Sequence, residues 1–215
     1  MHKNPARKLK ASAVKNICKF PSTKSFGGPS HLSFNMILVE SLLEKDYCFH
    51  LEFDSNVLQY FPQPRKFFLS SQTLCNRAYT PDFVVHYRDG RKAYIEVKKD
   101  SSALDKPYLL KLELAAIEME RDGYEFRLVE ESQIRIEPLL SNLKRLQRYR
   151  KEQDRNAESF VRLRESVPHP ETLSDLLGNP LGIKAETIYG LVATGRVKTN
   201  LSVARLSVNS EVAYE

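Results

Sequence analysis

The chain has 215 residues, of which 41% are hydrophobic and 28% are charged. This composition suffices for a folded core and excludes a disordered protein. The formal net charge is +6. The sequence has no run of 18 apolar residues, which excludes a membrane span. It also has no secretory signal pattern, so a cytoplasmic protein is predicted.

Positive charge is concentrated in two blocks. Residues 1–39 contain seven lysines and arginines and no acidic residue. The second block consists of Lys144, Arg145, Arg148, Arg150 and Lys151. Such blocks favour a polyanionic partner, because neutralising phosphates releases condensed counterions. A solubilising tail is the alternative explanation for the first block.

The first elements along the chain are predicted to be helical. Residues 1–30 form a basic arm and linker, partly helical up to residue 20 and then a loop, PSTKSFGGPS. From residue 32 to about residue 50, apolar residues recur at helical spacing and predict the first core helix, capped by Ser33 or Asn35.

A β-hairpin is predicted in the middle of the chain. The preceding segment, LEFDSNVLQYFPQPRKFFL, predicts edge or irregular strands that are broken at Pro62 and Pro64. Two strands, RAYTPDFVVHY and KAYIEVKK, then flank the turn RDGR, and an Asp-Gly turn between alternating runs is typical of a hairpin.

The remaining elements complete an α/β or α+β domain and add a smaller one. Residues 105–121 predict a helix, and a further strand follows in YEFRLVEESQIRI. The inward-facing residues of this helix are predicted to be Leu109, Leu112, Ala115, Ala116 and Met119. Residues 31–140 are therefore predicted to form a sheet flanked by helices. Residues 141–215 predict a long charged helix, two short helices and a terminal β-ribbon, the outline of a winged helix-turn-helix.

Charged residues in the hairpin form the candidate chemical site. Alternation along KAYIEVKK places Glu96 and Lys98 on one face, and the hairpin brings Asp82 beside Glu96. Two carboxylates and an ammonium group at one sheet edge suit Mg²⁺-dependent hydrolysis of a phosphodiester. The first predicted helix offers a third acid, Glu40 or Glu44, for a second ion. The alternative is a strand-end cap and a solvated ion pair.

Four nearby basic residues are candidates for binding the phosphates of DNA. They are Arg65, Lys66, Arg77 and Lys99. Their proximity to the candidate site in sequence favours contacts with flanking phosphates. Simple solvation of exposed charges is the alternative.

Residues 80–98 resemble a nuclease signature. Thr80-Pro81-Asp82 followed by Glu96-Val97-Lys98 is similar to the PD-(D/E)xK motif of restriction-endonuclease-like folds. A longer ordered set of features, over roughly residues 33–150, resembles TnsA, the endonuclease subunit of heteromeric cut-and-paste transposases. In order, these features are SLLE at 41–44, HLEFD at 50–54, QP at 63–64, TPDF at 80–83, IEVK at 95–98, IR at 134–135 and NLK at 142–144.

This resemblance implies roles for individual residues. Glu44 rather than Glu40 would be the third metal-site acid, and Asp82 would be the central ligand. Glu96 would be the ligand at the ExK position, where some family members have Gln, and Lys98 would be the catalytic lysine. The implied cofactor is Mg²⁺, with two ions bound and Mn²⁺ able to substitute. The implied fold is restriction-endonuclease-like with a winged-helix-like C-terminal domain.

The resemblance also implies partners. TnsA proteins cut the 5′ ends of the transposon strands in double-stranded DNA, while a TnsB-type transposase cuts and joins the 3′ ends. A TnsC-type AAA+ ATPase regulates both and contacts the C-terminal domain. The length of the chain resembles the compact forms in CRISPR-associated transposons, which implies a bacterial cytoplasm. A stand-alone nuclease of resolvase or restriction type and a non-catalytic DNA-binding adaptor are the alternative functions.

Overall fold

The computed structural model describes residues 17–25, 35–69, 77–152 and 156–215. Backbone contacts divide the chain into two compact units, residues 1–135 and residues 136–215. No helix within the described ranges is long and apolar enough to cross a membrane.

The first unit begins with an antiparallel strand pair, β1 (Cys18–Ser22) and β2 (Asn35–Val39). Ile37 and Val39 are buried and Leu38 between them is exposed, which is the alternation of a half-buried strand. The predicted helical structure is therefore wrong for both segments, because a short apolar run does not distinguish a strand from a buried helix. Residues 1–16 and 26–30 of the predicted arm and linker lie outside the described residues.

Helix α1 (Leu42–Phe53) starts later than the sequence pattern predicted. Its N-cap is Ser41, whose hydroxyl oxygen accepts a 3.0 Å hydrogen bond from the backbone N–H of Glu44. Serine is a strong N-cap residue because it satisfies one of the free N–H groups of the first turn. Glu40 precedes this cap, so of the two candidate acids only Glu44 lies on the helix.

The C-terminal part of α1 is tied to β1 through Glu52, a fully buried side chain. Its carboxylate accepts hydrogen bonds from the hydroxyls of Ser22 (2.5 Å), Thr23 (2.5 Å) and Tyr60 (2.9 Å) and from the backbone N–H of Thr23 (3.1 Å). The ammonium group of Lys24 donates to two backbone carbonyls at the end of α1. A positive charge there complements the helix dipole.

A mixed sheet forms the centre of this unit. Among the described residues, the elements that follow α1 are β3 (Val57–Pro62), β4 (Phe67–Leu69), β5 (Arg77–Tyr79), β6 (Phe83–Tyr87), β7 (Lys92–Lys98), α2 (Lys106–Arg121), β8 (Glu125–Glu130) and α3 (Glu131–Ile134). The sheet order is β3-β6-β7-β8, in which only the β7–β8 pair is parallel. Strands β4 and β5 form a separate antiparallel pair.

The predicted hairpin is confirmed as β6 and β7. Gly90 in its turn has a φ of 88°, a conformation that glycine adopts without a steric penalty. The predicted edge strand is also confirmed, since β3 lies at the edge of the sheet, has irregular pairing near its start and ends at Pro62. The long strand predicted before the turn is instead two strands, β5 and β6, separated by residues 80–82.

Different helices cover the two faces of the sheet. The ring of Tyr47 on α1 lies 5.7 Å from the ring of Phe83 on one face. Val84 and Tyr94 point to the opposite face and pack in one apolar cluster with residues of α2. On α2, Leu109 is 38% exposed, so the prediction that it faces the core is wrong. The predicted mixed sheet flanked by helices is confirmed.

The second unit is mainly helical. Its elements among the described residues are α4 (Leu139–Leu146), a 3₁₀ segment (Gln147–Glu152), α5 (Asn156–Ser166), α6 (Leu173–Leu177), α7 (Ala185–Ala193) and the antiparallel strands β9 (Val197–Lys198) and β10 (Ala213–Tyr214). The two short helices and the terminal ribbon occur in the predicted order. The winged-helix assignment itself stays a prediction.

The prediction of one long charged helix in this unit is wrong, because α4 ends at Leu146 and a 3₁₀ segment follows. Arg150 in that segment is buried, and its guanidinium group donates a 2.7 Å hydrogen bond to the backbone carbonyl of Ala193. One member of the second basic block therefore holds the segment against α7 instead of adding to the surface charge.

Candidate active site

The four residues predicted to be catalytic line one pocket of the first unit, with a cavity volume of about 850 Å³. They are Glu44, Asp82, Glu96 and Lys98. The pocket is lined by the first turns of α1 and α2, the segment between β5 and β6, and the end of β7. Elements that are distant in sequence thus bring the predicted residues together.

Asp82 is held at the open end of the β6–β7 hairpin. Its side-chain Oδ2 accepts a 2.8 Å hydrogen bond from the backbone N–H of Val97, and its backbone carbonyl accepts a 2.8 Å bond from the N–H of Gln63. Phe83 pairs with Ile95 across the antiparallel hairpin. Asp82, which precedes Phe83, therefore lies opposite Glu96, which follows Ile95. The predicted proximity of Asp82 and Glu96 agrees with this register.

Glu96 is a buried carboxylate with three polar neighbours. Its Oε2 accepts a 2.7 Å hydrogen bond from the hydroxyl of Tyr79, and its Oε1 accepts a 2.8 Å bond from the hydroxyl of Tyr108. The Nζ of Lys98 forms an ion pair with the same Oε1 at 2.7 Å. The alternation along β7 therefore places Glu96 and Lys98 on one face, as the sequence predicted.

Glu44 reaches the pocket from the first turn of α1. Its Oε1 accepts a 2.8 Å hydrogen bond from the hydroxyl of Ser41, and its Oε2 accepts a 3.0 Å bond from the backbone N–H of Glu40. These contacts form a variant of the capping box, in which the acid at the third helical position turns back towards the cap. The helix cap thereby fixes an acidic side chain at the pocket wall.

The acids of the pocket repel one another. Burial raises the pKa of Asp82 well above its ordinary value, and the carboxylates of Glu96 and Glu44 raise it further. Burial also raises the pKa of Glu44, although its own hydrogen bonds oppose this effect. Burial by itself lowers the pKa of Lys98, but attraction to Glu96 and their hydrogen bond outweigh burial, so the net pKa is raised. Added positive charge would stabilise the ionised acids.

The carboxylates that line the pocket are chemically suitable ligands for a divalent ion. Carboxylate oxygens are the ligands that Mg²⁺ prefers. In the described part of the chain, however, no group of three or more histidine, cysteine or acidic side chains is gathered closely enough to hold a metal ion. Oε1 of Glu96 contacts both Tyr108 and Lys98, so coordination through Oε1 requires the exchange of one such contact, whereas Oε2 accepts a hydrogen bond from Tyr79 alone.

The basic residues predicted to bind DNA differ in their surroundings. Lys66 and Lys99 are exposed and line the pocket. Arg65 is instead in an ion pair with Asp122, and its guanidinium carbon lies 4.3 Å from the centre of a phenylalanine ring. Arg77 lies in β5, but its side chain is outside what the structure describes.

Sequence reasoning missed several pocket residues. Tyr79 and Tyr108 contact Glu96, and the Nζ of Lys111 lies 5.1 Å and 5.4 Å from the centres of their rings. Arg135 also lines the pocket and forms a 2.9 Å ion pair with Asp46. Tyr79 could have been found from the sequence because it directly precedes Thr80-Pro81-Asp82. Arg135 could also have been found, because it belongs to the ordered set of family features. For Tyr108 and Lys111 the signal depends on how α2 packs.

Comparison with known proteins identifies one similarity. A protein-family model described as TnsA-like endonuclease N terminal matches residues 54–131. The matched residues include Asp82, Glu96 and Lys98, whereas Glu44 and the whole second unit lie outside them. No curated protein matches the chain. The match supports a TnsA-type nuclease as part of a transposase.

Proposed function

We propose that this chain is a metal-dependent DNA endonuclease subunit of a transposase, which cleaves the 5′ ends of the transposon strands during cut-and-paste transposition. One observation carries the proposal: Asp82, Glu96 and Lys98 lie within the matched residues and share a pocket with Glu44. The similarity supports the class of enzyme. The metal dependence rests on the chemistry of the acidic residues.

In this proposal Glu44, Asp82 and Glu96 would hold two Mg²⁺ ions, which Mn²⁺ could replace. When bound, such an ion would polarise the phosphate and lower the pKa of the attacking water. Lys98 carries a raised pKa and is therefore protonated at neutral pH. Its ammonium group can orient the attacking water or stabilise the developing negative charge on the phosphate.

Basic residues at the pocket bind the backbone of double-stranded DNA in this proposal. Lys66 and Lys99 are exposed there and can contact the phosphates on either side of the cleaved bond. The family resemblance implies that in-line attack of water leaves a 3′-hydroxyl and a 5′-phosphate.

The proposed partners follow from the same resemblance. A TnsB-type transposase would process the 3′ ends, and a TnsC-type AAA+ ATPase would contact the second unit. The resemblance also motivates a CRISPR-associated transposon as the proposed setting.

Strand-specific mapping of cuts at candidate element ends tests the proposal. We expect Mg²⁺-dependent cuts at the 5′ ends when the partner proteins are present. Asp82→Asn and Lys98→Ala should abolish the cuts, whereas Asp89→Ala and Lys92→Ala, at the exposed turn end of the same hairpin, should not. Full cleavage by both site variants would refute the catalytic assignment, and cleavage without partners would favour a stand-alone nuclease.

A further inference from the structure

The carboxylate of Glu96 is held from three sides. The hydroxyl of Tyr79 donates to Oε2 at 2.7 Å, and the hydroxyl of Tyr108 donates to Oε1 at 2.8 Å. The ammonium group of Lys98 contacts the same Oε1 at 2.7 Å. A carboxylate offers about four lone-pair sites in total. Oε1 already has two donors, whereas Oε2 has one and keeps a free lone-pair site. A cation that binds through Oε1 therefore has to displace Tyr108 or Lys98.

The two tyrosines differ in their freedom to move. Tyr79 is 3% exposed and belongs to the apolar cluster between the sheet and α2. Tyr108 is only partly buried, lies in the first turn of α2 and lines the pocket. Displacing the Tyr79 ring would disturb the core, whereas Tyr108 packs at the edge of the same cluster and has one side open to the pocket. Oε1 is therefore the oxygen of Glu96 that can be released.

We propose that Tyr108 is a positioning residue that competes with a divalent cation for Oε1 of Glu96. Tyr79 orients the carboxylate through Oε2 both before and after the cation binds. This inference rests on the proposed function, and it adds that Oε1 becomes available to the metal when the Tyr108 hydroxyl gives up its hydrogen bond.

Substitution by phenylalanine isolates the hydroxyl group. The Nζ of Lys98 and the Nζ of Lys111 lie 5.0 Å and 5.4 Å from the centre of the Tyr108 ring. These cation–π contacts hold the ring itself and persist in Tyr108→Phe. The variant therefore removes the competing hydrogen bond with little change in packing. Tyr79→Phe removes the orienting hydrogen bond in the same way.

The test is the affinity of the full chain for Mn²⁺ without DNA, measured by titration calorimetry. We expect Tyr108→Phe to bind Mn²⁺ about two- to tenfold more tightly, the range for loss of one competing hydrogen bond. Tyr79→Phe should bind more weakly. Tyr87→Phe is the matched control, because Tyr87 is buried on the same sheet and its hydroxyl accepts a 3.3 Å bond from Arg127.

Terbium luminescence locates the ion independently of affinity. The chain contains ten tyrosines and no tryptophan, so Tb³⁺ emission excited through the protein reports tyrosines close to the bound ion. We expect strong emission from the wild type, none from Asp82→Asn, and reduced emission from Tyr108→Phe, which loses one sensitising ring.

The outcomes separate this inference from the proposed function. Equal or weaker Mn²⁺ binding by Tyr108→Phe, together with loss of binding in Asp82→Asn, overturns the role of Tyr108 and leaves the nuclease site intact. Binding in Tyr108→Phe but not in the wild type supports competition directly. Lack of binding in all variants overturns both the inference and the metal dependence.

Discussion

The backbone N–H of Val97 donates a 2.8 Å hydrogen bond to Oδ2 of Asp82. This bond joins the two halves of the nuclease-like motif, since Val97 lies between Glu96 and Lys98 on β7 while Asp82 precedes β6. Asp82 therefore has a structural task, to accept a hydrogen bond at the open end of the hairpin, in addition to its proposed metal-binding role.

Asp82→Asn should separate these two tasks. The amide oxygen of asparagine can still accept the bond from Val97, but the negative charge is lost. We expect cleavage to fall at least about a hundredfold, with no loss in melting temperature. Asp82→Ala should lose cleavage and also about 1–3 kcal/mol of stability through the unpaired N–H. Nicking assays and thermal melts check both, and wild-type cleavage by the asparagine variant would contradict the assignment.

The raised pKa values of Asp82 and Glu44 predict that stability depends on pH. Carboxyl groups in the unfolded chain have a pKa of about 4. Above about pH 4, Asp82 and Glu44 therefore keep protons in the folded protein that they have lost in the unfolded chain. Stability from this source is fully present below the unfolded pKa and is lost as the pH rises through the raised folded pKa.

The measurement is a series of melting temperatures from about pH 5 to pH 8 in the presence of a chelator. This range lies above the pKa of unfolded carboxyl groups, where the effect is expected. Relative to Asp82→Asn, the wild type should lose stability as the pH rises. Taking the difference between the two proteins cancels the contribution of titrating groups that do not interact with residue 82. A difference that is constant, or that changes in the opposite direction, would show that Asp82 keeps an ordinary pKa.

Glu52 is predicted to anchor β1 to α1. Glu52→Ala removes the acceptor for Ser22, Thr23 and Tyr60 and leaves buried donors without a partner. We expect a loss of about 3 kcal/mol in the free energy of unfolding, measured by urea denaturation. Glu125→Ala is the control, because Glu125 is an exposed acid of the same unit. Similar unfolding energies for the two variants would rule out the anchoring role.

Gln63 has an unfavourable environment for a polar side chain. It is 2% exposed, its φ is 45°, and neither polar atom of its side chain has a hydrogen-bond partner among the described residues. Gln63→Met should therefore increase stability by about 1 kcal/mol, because it removes two buried polar atoms that are unsatisfied. Its backbone bond to Asp82 is unaffected.

Gln59→Met provides the contrast to this variant, since the amide of Gln59 forms a 2.8 Å hydrogen bond with His86. We expect it to lower the melting temperature. A decrease for Gln63→Met as well would mean that the Gln63 amide has a stabilising partner.

The hairpin and three of its charged residues were predictable because their signals are local. A two-residue alternation and an Asp-Gly turn determine which side chains of β6 and β7 share a face. The residue pattern alone did not distinguish Glu44 from Glu40 as the third acid, and the family resemblance favoured Glu44. The N-cap at Ser41 explains the preference physically, because it places Glu44 in the first turn of α1.

The tyrosines around Glu96 and the break after α4 were not predictable from local patterns. Tyr108 contacts Glu96 only because α2 packs over the face of β7 that carries Glu96, a long-range arrangement that the sequence period of α2 does not encode. In the second unit, residues 139–152 all have reasonable helix propensity. The 3₁₀ segment is held by tertiary contacts such as the bond from Arg150, and such contacts override propensity.

Strand β7 is paired along both edges, with β6 on one side and β8 on the other. A central strand separates from the sheet only when both ladders open, whereas the first turns of α1 and α2 can open locally at lower cost. We therefore expect slower deuterium exchange for the amides of β7, which carries Glu96 and Lys98, than for the helix ends that carry Glu44 and Tyr108. Rearrangements of the pocket are then expected to start at the helix ends.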